Sequence, residues 1–158
     1  MAFQMILNVM LAFLWVFFEG SLSASTFIIG YLLGILIIFT MRRFFPTRFY
    51  LYRVFSIAKL IAIFLKELLL SNWAVLKVVL KPKLAIQPGI FALETQLKTD
   101  WEITLLANLI TLTPGTLVVD VSPDCKTLYI HAMDIDDVDD SIASIRDSFE
   151  KAIMEVSR

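Results

Sequence analysis

Two apolar runs, separated by five residues, constrain this chain more than any other feature. Met1–Phe18 is interrupted only by Gln4 and Asn8, and Ala24–Met41 contains no charged residue. Eighteen helical residues rise about 27 Å, close to the roughly 30 Å hydrocarbon core of a bilayer. Between the runs, Glu19-Gly20-Ser21-Leu22-Ser23 supplies a charge, a glycine and two serines, which reads as a tight turn. The expected unit is a two-helix transmembrane hairpin over residues 1–41. The first run has no Lys or Arg at its start, and a second span follows at once, so it reads as a hairpin arm rather than a cleaved leader. Gly30 and Gly34 form a G-x-x-x-G pair that lets another helix approach closely. That helix is either the first arm of the hairpin or one from a neighbouring polypeptide.

Charge divides the rest of the 158 residues. Residues 1–98 hold ten Lys and Arg against three Asp and Glu, whereas residues 99–158 hold four against twelve. A greasy, basic front is followed by an acidic, water-compatible back. With 58% hydrophobic and 18% charged residues overall, the chain is too apolar for an ordinary soluble domain, which carries about 25% charged residues. The same figures exclude a disordered chain and a nucleic-acid binder. Arg42, Arg43, Arg48 and Arg53 follow the second run, whereas the inter-helix turn has only Glu19. Positive charge stays cytoplasmic, so the turn is expected outside and everything after Met41 on the cytoplasmic side. The aromatic rings among those arginines suit headgroup depth, with the guanidinium groups on lipid phosphates and Pro46 as a helix breaker.

Val54–Leu80 is long and apolar, yet contains Lys59, Lys66, Glu67 and Lys77. At about 100° per residue, Lys66 falls about 20° from Lys59, and Lys77 is in line with it. Ser56 and Lys81 lie within about 60° of the same line. A single polar stripe on an apolar helix predicts a helix lying in the membrane surface, lysines toward phosphate and water. The alternative is a third span whose stripe faces a partner protein; unpaired mid-bilayer lysines would then cost about 2.5–3.5 kcal/mol each. Residues 42–83 are thus expected to form a basic linker and an interfacial amphipathic helix.

Residues 84–158 read as a small cytoplasmic α+β domain in the order β-α-β-β-α. Lys81-Pro82-Lys83 and Gln87-Pro88-Gly89 are breakers, and Ile90–Leu97 predicts a strand with Phe91, Leu93, Thr95 and Leu97 on one face. Thr99-Asp100-Trp101-Glu102 matches a capping box opening a helix to about Thr111. That helix carries two apolar rows, Ile103/Leu106/Ile110 and Trp101/Leu105/Leu109/Leu112, of which one small sheet can cover only one. Thr116–Ser122 and Thr127–Ala132 flank a hairpin turn at Pro123–Lys126. Val138, Ile142, Ile145, Phe149 and Ile153 recur at helical spacing over Asp137–Val156.

Little in the sequence supports chemistry. Asp134, Asp136, Asp137, Asp139 and Asp140 cluster, but an EF-hand counted from Asp134 would need an oxygen ligand at Val138 and a glycine at Asp139. Acidic residues at a helix start also complement its dipole. Cys125 is the lone cysteine, fitting a buried or turn thiol in a reducing compartment, and His131 is the lone histidine. No phosphate loop, dinucleotide fingerprint, nucleophile elbow or paired-ligand metal motif occurs. Neither span carries an ionisable residue at mid-depth, so this chain by itself lacks the groups of an ion path. No catalytic, cofactor or metal residues are expected. Thr111-Leu112-Thr113-Pro114-Gly115-Thr116 is the most distinctive string, mechanically a helix stop and turn.

Several strings together resemble a known family. Met1-Ala2-Phe3-Gln4, Gly30-Tyr31-Leu32-Leu33-Gly34 ending in Arg42-Arg43-Phe44-Phe45, and Ile110 through Thr116 followed by Tyr129-Ile130-His131 look like the E-type component of the bacterial multisubunit cation/proton antiporters (Mrp, Mnh or Pha). The resemblance covers nearly the whole chain. It implies a non-enzymatic companion subunit of a plasma-membrane complex that exchanges sodium for protons, with other subunits and the lipid bilayer as partners. It also implies that the ion path lies in larger subunits, and that Thr111, Thr113, Pro114, Gly115, Thr116 and His131 act in structure or interaction. Two other readings follow from the residues alone: a membrane-anchored module binding a cation or ligand, and, with less support, a tethered enzyme.

Overall fold

The structure, a computed structural model, describes residues 2–45, 48–82, 86–135 and 137–157. Pro46, Lys83 and Asp136, named above for breaker and acidic roles, lie outside the described residues. Among the described residues, six α-helices and three strands follow in the order α1 (Ala2–Glu19), α2 (Ala24–Thr40), α3 (Tyr50–Val79), β1 (Gly89–Glu94), α4 (Asp100–Leu112), β2 (Thr116–Val121), β3 (Thr127–Ala132), α5 (Val138–Ile145) and α6 (Lys151–Ser157). A 3-10 turn, Met41–Phe44, extends α2, and a π-helical turn, Arg146–Glu150, joins α5 to α6. The chain divides into two compact units, Met1–Phe55 and Ser56–Arg158.

In the first unit, Ala2–Glu19 and Ala24–Phe44 are long and apolar enough to cross a membrane. Each helix buries one stripe at four-residue spacing: Gln4, Asn8, Ala12 and Val16 on α1, and Thr26, Gly30, Gly34 and Ile38 on α2. Every i, i+4 position shares a helix face, so the stripes meet along one seam. Gly20, at φ +65°, ends α1 in the left-handed conformation that glycine adopts without strain. Its N–H donates to the Val16 carbonyl at 3.1 Å. The Ser23 hydroxyl then caps α2 by accepting from the Thr26 N–H at 3.1 Å. A small cluster of Ile38, Phe49 and Tyr50 closes the far end.

The second unit is built on a three-stranded antiparallel sheet in the order β1-β3-β2. Phe91 and Leu93 of β1 and Leu128, Ile130 and Ala132 of β3 point into the core, against Ile103, Leu106, Leu109 and Ile110 of α4 and Ala152 and Ile153 of α6. Leu60 of α3 is buried in the same cluster, with Ile63 and Phe64 packed on it. The register of β2 on β3 shifts between Val118 and Asp120, a bulge centred on Val119.

Several boundaries differ from expectation for identifiable reasons. β1 stops at Glu94 rather than Leu97, because the Thr95 hydroxyl and the Gln96 N–H turn to donate to the buried Glu150 carboxylate. Leu97 is nevertheless buried. α3 begins at Tyr50 instead of Val54, where the Tyr50 N–H is taken up by the Gln4 side chain at 2.9 Å. The terminal helix is not regular: the π turn adds residues within the Ile145–Phe149 interval, and Val138 points outward. Of the two apolar rows of α4, Ile103, Leu106 and Ile110 form the covered one, while Trp101 and Leu112 of the other remain exposed and its Leu109 is buried.

Candidate interaction sites

The Thr-Pro-Gly-Thr string is a clasp between a helix end and the sheet. α4 must leave its last carbonyls without helical partners. The hydroxyls of Thr113 and Thr116 each lie 2.7 Å from the Ile110 carbonyl oxygen, and 2.8 Å from one another. Thr111 Oγ1 accepts from the Val118 N–H of β2 at 3.3 Å. Pro114 has no N–H to satisfy, and Gly115 takes φ +95°. The Gly115 carbonyl accepts from the Met133 N–H at 2.8 Å, carrying the clasp to the end of β3. All three hydroxyls are thus engaged with backbone or with each other. His131 lies on β3, paired with Ile90 on one side and Leu117 on the other. The string and the histidine are brought to one sheet.

Gly30 and Gly34 both face α1 of the same chain. A Cβ added at Gly30 would stand 2.7 Å from Trp15 Cβ and 2.9 Å from the Ala12 carbonyl oxygen. At Gly34 it would stand 2.1 Å from Asn8 Oδ1 and 3.3 Å from Leu11 Cβ. Of the two partners open to the glycine pair, the first hairpin arm is the one that occupies it.

Gln4, Asn8 and Tyr50 form a polar cluster that sequence reasoning missed. All three are almost fully buried. Gln4 Oε1 accepts from the Tyr50 N–H, and Asn8 Nδ2 donates to the Tyr50 hydroxyl at 3.0 Å. That hydroxyl is 3.4 Å from the Tyr31 hydroxyl. Among the described residues Asn8 Oδ1 has no hydrogen-bond donor, and it rests against Gly34. The available signal was the amide pair at i, i+4: in an apolar segment such amides need partners.

The cationic residues are arranged along the linker and α3. Arg42, Arg43 and Arg48 are exposed, and the Arg42 guanidinium lies 4.7 Å from the Phe39 ring centre. Arg53 is half-buried. Lys59 pairs with Glu155 of α6 at 2.7 Å, Lys66 lies 3.9 Å from Glu67, and the Lys77 ammonium lies 5.6 Å from the Trp73 ring centre.

Among the described acidic residues, Asp137 caps α5 by accepting from the Asp139 and Asp140 N–H groups, and Asp134 accepts from the Gln87 N–H. No group of three or more metal-ligating side chains converges among the described residues. Asp124, in the hairpin turn, is held below its usual value by the Ser122 hydroxyl and the Lys126 N–H. Cys125 beside it has φ 56° and is half-buried. Burial pushes the Glu102 carboxyl up, but hydrogen bonds from the Ser157 and Thr99 side chains and the Lys98 and Thr99 N–H groups outweigh it and hold the group at about 2.

The comparisons with known proteins agree with this architecture. A family model described as "Na+/H+ ion antiporter subunit" matches residues 8–156. The chain is 61% identical over 158 residues to the E component of the Na(+)/H(+) antiporter of Bacillus subtilis (strain 168), covering 100% of both chains. It is 53% identical to the protein of the same description from Alkalihalophilus pseudofirmus, again over 100% of both. A chain of an archaeal respiratory membrane complex, the membrane-bound sulfane sulfur reductase, superposes with a TM-score of 0.56 at 31% identity, covering 95% of this chain and 96% of that one. A match over this length, at this identity, shows that the chain belongs to the family of E components (MnhE) of the Na+/H+ antiporters.

Proposed function

We propose that this chain is an accessory, non-catalytic subunit of a multisubunit Na+/H+ antiporter in the bacterial plasma membrane, serving assembly and stability rather than ion transfer. The observation that carries this reading is the seam between α1 and α2. It buries amides, small residues and aliphatics, and Glu19 at the end of α1 is the only charged residue of the two helices. A proton or sodium relay needs ionisable groups within the bilayer, so the exchange belongs to neighbouring polypeptides. The relatives' description as antiporter subunits supports the same division of labour.

The arrangement in the membrane is part of the proposal. Residues 1–41 form a two-pass hairpin, residues 42–83 a basic linker and interfacial helix, and residues 84–158 the cytoplasmic α+β domain. Arg42, Arg43, Arg48, Arg53, Lys66 and Lys77 face lipid headgroups, and Lys59 divides its charge between the headgroups and Glu155. Two features support a surface position for α3. Leu60, Ile63 and Phe64 pack on the core of the α+β unit, and Leu65, Leu69, Trp73 and Leu76 are exposed on another side. A helix covered by protein on one side and bare and apolar on another, with lysines at the border, suits the boundary between water and acyl chains.

Purification of the tagged chain in mild detergent tests the subunit reading: larger membrane subunits should co-purify in fixed ratio, and a stable solitary monomer would refute it. Topology is tested at Cys125, which should react in intact cells with a permeant thiol reagent and not with an impermeant one. Labelling by the impermeant reagent would place the domain outside and α3 across the membrane.

A further inference from the structure

The α+β unit covers one face of its sheet with helices and leaves the other face bare. Strand residues alternate between faces, so the partners of the buried Phe91, Leu93, Leu128 and Ile130 point outward. On that outward face Ile90, Leu117, Val119 and Tyr129 are all exposed, from 40% to 63%. The register aligns Ile90, His131 and Leu117 in one row across the three strands. The bulge at Val119 keeps both Val119 and Asp120 exposed. A contiguous apolar patch on a small water-facing unit marks an interaction surface.

Charge identifies what fits it. The charged side chains among the outward strand positions are Glu94 and Asp120, with no Lys or Arg among them. The part of the chain that builds the sheet and follows it is acidic, thirteen Asp and Glu against five Lys and Arg over residues 84–158. Three strands of six residues offer a footprint of about 20 Å by 14 Å, the size of a short segment rather than a whole domain. The water-exposed cytoplasmic loops of membrane proteins are rich in Lys and Arg, which supplies segments of the complementary sign. We propose that the outward sheet face receives a Lys/Arg-rich segment, bearing apolar side chains, from the cytoplasmic side of a neighbouring subunit. Ile90, Leu117, Val119 and Tyr129, set around His131, take the aliphatic or aromatic side chains, and Glu94 and Asp120 take the cations at the rim, where complementary charge sets approach and register. The inference rests on the subunit reading above.

The test uses the assembled complex. A photoreactive phenylalanine analogue is introduced at Val119, and in a control chain at exposed Ser144 on α5. Crosslinking at position 119, but not 144, to a Lys/Arg-rich segment of a co-purifying subunit is the expected result. Glu94→Lys with Asp120→Lys should lower that adduct at least fivefold, while circular dichroism shows the domain intact. An adduct only to a second copy of this chain or to lipid, no adduct, or an adduct insensitive to the charge reversal would overturn the proposal. If the wild-type complex still co-purifies in any of those cases, the docking surface falls and the subunit reading stands. If the wild-type chain purifies alone, both fall.

Discussion

The seam between α1 and α2 predicts that the two glycines tolerate alanine to different degrees and for different reasons. At Gly34 an added methyl meets Asn8 Oδ1 at 2.1 Å, the end of a side chain, with Asn8 Cγ at 3.2 Å and Leu11 Cβ at 3.3 Å. The amide can swing away, but only by abandoning the Tyr50 hydroxyl it donates to at 3.0 Å. Overpacking a tight site costs about 1–3 kcal/mol, and an interhelical hydrogen bond in a membrane protein is worth about 0.6 kcal/mol on average and about 1.7 at most. Gly34→Ala should therefore cost about 2–4 kcal/mol. Asn8→Ala alone loses the hydrogen bond and leaves a small void, but the double variant Asn8→Ala/Gly34→Ala has room for the new methyl. The double variant should be more stable than the sum of the single effects by about 1–3 kcal/mol. At Gly30 the obstacle includes the Ala12 carbonyl oxygen at 2.9 Å, which is backbone. Gly30→Ala should cost at least as much, and Asn8→Ala should not relieve it. Equilibrium unfolding in mixed micelles of increasing SDS, followed by Trp15 fluorescence in a Trp73→Phe/Trp101→Phe background, reads all of these. If Gly34→Ala unfolds at the wild-type midpoint, or if Asn8→Ala relieves Gly30→Ala as fully as Gly34→Ala, the seam is not packed as described.

Other consequences are more local. The Glu102 carboxyl is held at about 2 against an ordinary 4.5, so its contribution is complete above pH 4.5 and is lost as pH falls toward 2; at about 1.4 kcal/mol per pH decade it amounts to roughly 3 kcal/mol. Urea unfolding of the detergent-solubilised chain should show Glu102→Gln destabilised at pH 7 and converging on wild type near pH 2, and a pH-independent gap would contradict the assignment. Thr113→Val and Thr116→Val each remove a hydroxyl from the Ile110 carbonyl and should cost about 1 kcal/mol each in the same assay, leaving the helix content at 222 nm intact. Lys59→Ala breaks an exposed ion pair with Glu155 and should change stability by less than about 1 kcal/mol; a larger loss would mean that the pair organises α6.

Much of this fold was legible because local signals agreed with one another. Thr99 and Glu102 announced the start of α4, Thr113-Pro114-Gly115 its end, and the turn at Pro123–Lys126 the hairpin of β2 and β3. Long-range polar contacts were not legible. Glu150 lies on a helix 54 residues from Gln96, and nothing near either residue reveals that the carboxylate will end β1. The π turn that presents Glu150 has no sequence mark of its own. The sequence marked the Thr-Pro-Gly-Thr string as a helix stop and turn, but the backbone groups its hydroxyls satisfy come from β2 and α4 together and could not be read from it.

The same limit explains why Tyr50 was passed over while Gln4 and Asn8 were noticed only as interruptions. A buried amide in an apolar helix is a demand for a partner, and the demand can be read from sequence although the partner cannot. Forty-two residues separate Asn8 from Tyr50, and Tyr50 falls in a linker whose arginines and aromatic rings already suggest a lipid-facing role. Its burial shows that one residue of that linker serves the hairpin instead. Tyr50 satisfies Gln4 through its backbone N–H and Asn8 through its hydroxyl, so one residue fixes two successive turns of α1 and also the first residue of α3. The start of α3 is thereby tied to the hairpin, a long-range contact that the apolar run beginning at Val54 does not mark, so the sequence placed the helix start four residues too late.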